Sequence, residues 1–158
     1  MLDTHTPTMM AAIKGLTMAC MQRVPPAAPR RALIVDDEEA VRKFVNRILT
    51  DRGYETVVAS DGPEAEAAVK DQAPFDILVT DLMMPDMSGD ELARRLRMNE
   101  PRLKVLYLTG FSDHLFKEKV TLWADEAFLD KPCSINGLLE AVALLLTGRL
   151  TNPDDHPS

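Results

Sequence analysis

The chain is poor in cysteine and histidine, and this scarcity excludes several kinds of site. Its 158 residues contain two cysteines and three histidines. Cys20 and Cys133 show neither the spacing of a zinc site nor the pattern of a disulfide framework. His5, His114 and His156 lie away from the acidic motifs, and we interpret them as solvated. So few thiols are typical of a protein from a reducing compartment, and we predict a cytoplasmic location.

Long apolar runs and excess positive charge are also missing. No apolar stretch approaches the ~20 residues that cross a membrane, so we expect no membrane partner. Eighteen Lys and Arg against 25 Asp and Glu give a net charge of −7, which argues against direct nucleic-acid binding. Neither G-x-G-x-x-G nor a Walker A loop occurs, so a nucleotide-binding domain is poorly supported. Hydrophobic residues make up 46%, enough for one domain with a core.

The two ends of the chain differ from the rest. Residues 1–29 lack the basic start and clean apolar segment of a signal peptide, and their last six, VPPAAP, are typical of an extended linker. We predict a flexible N-terminal tail over 1–29, a domain over 30–148 and a flexible C-terminal tail over 149–158. For the first segment, a weak amphipathic helix over 8–23 and a true translation start at Met21 remain alternatives.

Short apolar runs alternate with amphipathic stretches from Arg31 onward. The predicted strands cover 32–35, 54–59, 77–80, 104–108 and 127–129. A helix after the first strand ends at Gly53, and a second begins with Pro63 at its first position. Five β–α repeats predict an α/β fold with a parallel sheet and helices on both faces.

Further helices follow the third, fourth and fifth predicted strands. Ser88 and Glu91 match a capping box at the start of the third helix. Phe116, Val120 and Trp123 indicate a fourth helix, although their spacing is less regular. Apolar residues spaced three and four apart over 135–146 predict the last helix.

Chemically active residues stand at the predicted carboxyl ends of four strands. Asp36 and Asp37 follow the first strand, and Asp81 lies one residue past the third. Thr109 follows the fourth strand and Lys131 the fifth. In a parallel α/β sheet these ends form the rim where ligands bind, so we expect the five side chains to converge.

Such a rim is suited to a phosphoryl group and a hard metal ion. Two carboxylates at ~4 Å repel each other by about 4 kcal/mol at an effective dielectric of 20, so the cluster favours a divalent cation. Oxygen ligands without histidine or thiolate favour Mg²⁺. Lysine and a threonine hydroxyl can hold phosphoryl oxygens, and a carboxylate can itself accept the group as an aspartyl phosphate.

The motifs LIVDDEEAVR, VTDLMMPDMSGDEL, LTGF and DKP, in this order, resemble the receiver domain of two-component response regulators. The resemblance covers about residues 30 to 148 and implies a flavodoxin-like, doubly wound (βα)5 sandwich with strand order 2-1-3-4-5. Because only about ten residues follow the last helix, we expect a stand-alone, single-domain response regulator.

The resemblance also implies a role for each motif residue. Asp81 is the expected phosphoacceptor, and Asp37 binds Mg²⁺ directly while Asp36 acts mainly through water. Met83 lends its backbone carbonyl to the metal. Lys131 contacts the phosphoryl group and precedes a cis peptide to Pro132. Thr109 and Phe128 form the expected switch pair.

A phosphorelay role follows from the same resemblance. The expected donor is a phosphohistidine of a sensor kinase or phosphotransfer protein, and the signal changes the surface around the fourth strand, fourth helix and fifth strand for a downstream protein. We expect no enzyme activity beyond slow self-dephosphorylation. A receiver-shaped binding module that is never phosphorylated and an aspartyl-nucleophile phosphatase remain alternatives.

Four positions bear on these expectations. The phosphatase requires a second acid two residues after Asp81, where Met83 stands instead. Cys133 occupies a position where the family commonly has Phe, which predicts changed packing beside Pro132. Met83, Met84 and Met87 are interpreted as core and loop filling, because the neighbouring carboxylates are hard ligands.

Overall fold

A computed structural model describes residues 28–110 and 125–148, which form a parallel sheet with helices on both faces. The strand order β2-β1-β3-β4-β5 confirms the predicted fold class. The elements, in chain order, are β1 (Arg31–Val35), α1 (Glu39–Asp51), β2 (Glu55–Ala59), α2 (Gly62–Gln72), β3 (Ile77–Asp81), α3 (Gly89–Arg97), β4 (Lys104–Thr109), β5 (Glu126–Asp130) and α4 (Ile135–Thr147).

The middle of the sheet is buried on both sides. Every residue of β3 is buried, and β1 and β4 are buried apart from their first residues. Helices cover both faces, so these strands need apolar side chains at every position. Asp81 was predicted one residue past its strand, but it is the last residue of β3 and pairs in register with Leu108. Its backbone is therefore fixed by the sheet.

Two apolar cores, one on each face, hold the helices to the sheet. On one face α1 and α4 insert residues such as Leu49 and Leu138, and on the other α2 and α3 insert Val69 and Leu92. Gly53 closes α1 at a φ of 87°, a value that glycine adopts without strain. This packing fixes the positions of the strand ends that form the rim.

Two helix starts differ from the sequence expectation. Asp61 is the N-cap of α2 and accepts a hydrogen bond from the Glu64 amide, which places Pro63 second in the helix and not first. Ser88 is the N-cap of α3, but its side chain makes no capping bond. The reciprocal half of that capping box is also missing, because Glu91 pairs with Arg95 at 2.8 Å instead.

Several sequence expectations fall outside the described residues. The predicted fourth helix lies within 111–124, and almost all of both predicted tails lies within 1–27 and 149–158. Among the helices that the structure describes, none combines the length and apolar character required to cross a bilayer.

Candidate functional site

Lys131 stands at the centre of the rim and contacts three acids from two parts of the chain, the loop after β1 and the end of β3. Its ammonium nitrogen lies 2.7 Å from Asp36 Oδ2, 3.5 Å from Asp81 Oδ2 and 3.7 Å from Glu38 Oε1. The lysine side chain is 16% exposed, and those of Asp36 and Asp81 are 2% and 10% exposed. These charges meet largely out of water, where their interactions are stronger than at the surface.

The loop after β1 presents three carboxylates together. One oxygen each from Asp36, Asp37 and Glu38 lie within 4.8 Å of one another. The Glu38 amide donates to Asp36 Oδ1 at 2.8 Å, and Arg42 donates to the Asp36 backbone oxygen at 2.7 Å. Glu38 and Arg42 were not predicted. The Asp-Asp-Glu run was a signal for Glu38, whereas nothing in the sequence indicated the contact made by Arg42.

Asp81 is held by the turn that follows it. The Met83 amide donates to Asp81 Oδ1 at 3.4 Å, a long hydrogen bond, and the Gly89 amide donates to the Leu82 carbonyl at 2.8 Å. A Cβ at Gly89 would lie 2.1 Å from the Asp81 carbonyl oxygen. Only glycine fits here, because the neighbour is backbone and cannot turn aside.

We therefore expect Gly89→Ala to lower the free energy of unfolding by about 2 kcal/mol, since the new methyl group forces the backbone of Asp81 to move. Urea unfolding followed by circular dichroism measures this effect. Gly110→Ala is the matched control, because none of the residues that the structure describes lies within 4 Å of a Cβ there. Equal free energies of unfolding for the two variants would contradict the close approach of Gly89 to the Asp81 carbonyl oxygen.

The rim perturbs the titration of its own groups. Burial raises the pKa of Asp81 from 3.8 to about 6; the Lys131 charge opposes the shift, and the Asp36 charge adds to it. Burial also raises the pKa of Asp36, against its hydrogen bond to Lys131. Burial alone would lower the pKa of Lys131, but the nearby carboxylates outweigh it and raise that pKa. The site is therefore short of positive charge.

Thr109 and Phe128 occupy neighbouring strands beside this cluster. Thr109 ends β4 and is buried, and its backbone oxygen accepts from the Lys131 amide at 2.9 Å. The Phe128 ring lies 5.6 Å from the Tyr107 ring. The Lys131–Pro132 peptide is cis, as the resemblance implied. The structure thus places all the predicted rim residues at the carboxyl ends of β1, β3, β4 and β5.

A groove of about 550 Å³ opens beside the acids. Asp37, Glu38 and Lys131 line its polar side, and its apolar lining includes Val41, Phe44, Met83 and Cys133. Met83 is 56% exposed, so its interpretation as filling was wrong, whereas Met84 and Met87 are buried. Cys133 is half-buried, and burial raises the pKa of its thiol.

Comparisons with known proteins give one result. Residues 32–143 match the family model described as "Response regulator receiver domain". The sensor kinase CckA of Brucella abortus is 36% identical over 115 residues, which are 72% of this chain and 12% of CckA. The response regulator receiver protein CpdR of the same organism is 31% identical over 117 residues, 74% of this chain and 97% of CpdR. The response regulator MprA of Mycobacterium leprae is 40% identical over 126 residues, 79% of this chain and 54% of MprA.

Solved structures agree in fold. The chemotaxis protein CheY4 of Vibrio cholerae superposes with a TM-score of 0.67 at 34% identity, covering 75% of this chain and all of CheY4. The response regulator protein TrrA of Thermotoga maritima, solved in complex with Mg²⁺ and BeF, gives a TM-score of 0.65 at 32% identity over 74% of this chain and 99% of TrrA. The chain spans only part of CckA and MprA but nearly all of CpdR, CheY4 and TrrA.

Proposed function

This chain belongs to the response regulator receiver family, a family of phosphoacceptors in two-component signalling, and we propose that Asp81 is its phosphoacceptor. The donor is a phosphohistidine on a histidine kinase or a phosphotransfer protein. The chain takes the phosphoryl group onto itself, turns over no other substrate, and releases the group slowly by hydrolysis. We place this exchange in the cytoplasm, in keeping with the low cysteine content.

The gathering of Lys131, Asp36 and Asp81 carries this proposal. These residues come from the ends of β5, β1 and β3, and the lysine nitrogen lies 2.7 Å from one acid and 3.5 Å from the other. A buried ion pair contributes little net stability to a fold. The position of Lys131 against two buried acids is therefore better explained by a role in the reaction than by a role in stability. The lysine supplies a fixed positive charge beside the nucleophile.

The acids fit a bound Mg²⁺ ion. Carboxylate oxygens from adjacent residues cluster within 4.8 Å, and Mg²⁺ prefers such oxygen donors. Asp37 would hold the ion directly, Asp36 would hold it mainly through water, and Asp81 and the Met83 carbonyl would complete the protein ligands. When bound, the ion supplies positive charge that offsets the negative charge of the carboxylates and of the incoming phosphoryl group.

The chain's own groups then have separate tasks in the transfer. An Asp81 carboxylate oxygen attacks phosphorus, a new O–P bond forms as the P–N bond to the donor histidine breaks, and the imidazole leaves. Lys131 holds a phosphoryl oxygen by charge, and the Thr109 hydroxyl donates to another. The product carries roughly −1.5 to −2 charges in place of one carboxylate.

This added charge is the signal. Thr109 moves toward the phosphoryl group, and the Phe128 ring follows into the space behind it. The surface around β4 and β5 then changes for a downstream protein. The exposed Met83 thioether, two residues after the nucleophile, leaves the phosphatase alternative without its second acid.

Intact-mass measurement tests the proposal. The unaltered chain, incubated with Mg²⁺ and either an acyl phosphate or a phosphorylated histidine kinase, should gain one phosphoryl group that base removes. Chelation of the metal should prevent the gain. A chain that takes up no phosphoryl group from either donor would instead support the binding module that is never phosphorylated.

Because the pKa of Asp81 is raised, the rate of phosphoryl uptake should depend on pH. Attack requires the carboxylate, so at low Mg²⁺ the uptake rate should rise with a midpoint near the pKa of about 6. Saturating Mg²⁺ should move the midpoint to lower pH, because a nearby cation lowers a carboxyl pKa. Rates are measured with a donor that does not titrate in this range. A flat profile from about pH 5 to about pH 7 would contradict the assignment.

A further inference from the structure

A buried carboxylate away from the rim joins three elements of the fold. The Glu126 side chain is 2% exposed and begins β5. Its Oε1 accepts from Arg97 Nη1 at 2.8 Å and from the Tyr107 hydroxyl at 3.2 Å. Arg97 is the last residue of α3, and Tyr107 lies in β4. One carboxylate oxygen thus links α3, β4 and β5.

The guanidinium of Arg97 is fixed by two further contacts. Its Nε donates to the Leu103 backbone oxygen at 3.1 Å, and its Nη2 donates to the Asp125 backbone oxygen at 3.3 Å. These carbonyls lie just before β4 and β5. A planar guanidinium with several donors suits this arrangement, because one rigid group bonds three acceptors at once. The start of β5 is therefore tied firmly to its neighbours.

The Tyr107 ring, whose hydroxyl belongs to this network, packs against the ring of Phe128. Tyr107 and Phe128 are paired in register across β4 and β5, with ring centroids 5.6 Å apart and planes inclined by 35°. Tyr107 is fully buried, and its hydroxyl is bound to Glu126. The surface on which the Phe128 ring rests is thus fixed by hydrogen bonds. Thr109 lies two residues further along β4, on the same face of the strand.

We infer that Arg97, Glu126 and Tyr107 are positioning residues that stabilise the resting arrangement of Phe128. This inference rests on the proposed role of Phe128 as a switch residue. The resting arrangement here means the one in which the Phe128 ring packs against the Tyr107 ring. When the Phe128 ring moves away from Tyr107, it loses this packing. A ligand that favours the moved ring must supply the free energy that separates the two arrangements.

Binding of a phosphoryl analogue tests the inference through linkage. Tyr107→Phe removes the hydroxyl and keeps the ring, which weakens contacts of the resting arrangement. Beryllium fluoride with Mg²⁺, titrated against the full chain, should then bind about fivefold more tightly to this variant, because less resting stability opposes it. Glu126→Gln, which weakens the same network, should shift affinity in the same direction. Tyr54→Phe, which removes the chain's other phenolic hydroxyl, should leave affinity unchanged.

The combination of readouts separates positioning from simple structural support. Tyr107→Phe should have a lower melting temperature and a higher analogue affinity, whereas loss of structure alone would not raise affinity. Unchanged or weaker binding in both network variants would overturn the inference.

Hydrogen exchange of the resting chain gives a test that does not depend on phosphorylation. The peptide that covers β5 should exchange about tenfold faster in Tyr107→Phe than in Tyr54→Phe. Equal rates would overturn the inference even if the unaltered chain binds the analogue. Failure of the unaltered chain to bind it would contradict the proposed function alone, because the exchange comparison still reports on the network.

Discussion

Asp81→Asn is expected to abolish phosphoryl uptake and to stabilise the protein. The amide keeps the shape of the carboxylate and loses the nucleophile, so uptake should fall below about one part in a thousand of that of the unaltered chain. Intact-mass spectrometry with Mg²⁺ and an acyl phosphate measures the loss. Asp86→Asn is the matched control, because this acid lies exposed in the same loop, and it should retain full uptake.

The stability gain follows from the direction of the pKa shift. The pKa of Asp81 is raised from 3.8 to about 6 in the folded chain. Its contribution to stability is therefore full below pH 3.8 and is lost as the pH rises through about 6. At neutral pH the charged form is a cost, and the neutral amide should raise the free energy of unfolding by about 1–2 kcal/mol in metal-free buffer. If urea unfolding instead showed a decrease in the free energy of unfolding of that size, the Asp81 charge would not be a destabilising, incompletely compensated charge in the folded chain.

Lys131→Met should reduce both uptake and stability. The substitution keeps a long side chain and removes the charge beside Asp36 and Asp81, so uptake should slow by about 10²-fold. It also leaves two buried carboxylates without their cation. We expect the free energy of unfolding to fall by about 3 kcal/mol at neutral pH without metal, and by less in acid as the carboxyl groups take up protons. Kinetics by intact mass and unfolding in urea at two pH values measure these effects.

Lys43→Met is the control for loss of a lysine charge. Its side chain is 75% exposed and pairs with Glu39 at 2.8 Å on the surface of α1. Such surface pairs contribute little, so the change should stay within about 0.5 kcal/mol and leave uptake intact. Equal losses in both lysine variants would indicate a general effect of net charge and would contradict a specific role for Lys131.

Local patterns in the sequence were sufficient to predict a parallel sheet and its rim, whereas the strand order was predicted from the resemblance to receiver domains. Apolar runs at each strand position gave the β–α alternation. The parallel sheet then brought Asp81 together with Asp36 and Lys131, which stand 95 positions apart. The rim was predictable because the ends of parallel strands meet at one edge. Asp81 itself was placed one residue too late, since a polar residue at the end of a buried strand looks like the start of a loop.

Other features depend on contacts that no pattern in the local sequence could predict. Arg97 and Glu126 pair across 29 residues, and each alone resembles a surface charge. Arg42 binds a backbone carbonyl, which no side-chain pattern can indicate. The capping box at Ser88 failed for a related reason, because Glu91 has Arg95 as a competing partner one turn away. A contact between distant residues therefore decided the first case, and local contacts decided the other two.

The most direct test of the account is the chemical location of the phosphoryl group. The unaltered chain is loaded with Mg²⁺ and a phosphohistidine donor, and borohydride then reduces any aspartyl phosphate to homoserine before peptide mass spectrometry. We predict homoserine at position 81 and nowhere else, and its formation should require both the metal and the donor. Homoserine at position 36 or 37, or an unmodified residue 81 in a chain that has gained a phosphoryl group, would contradict it.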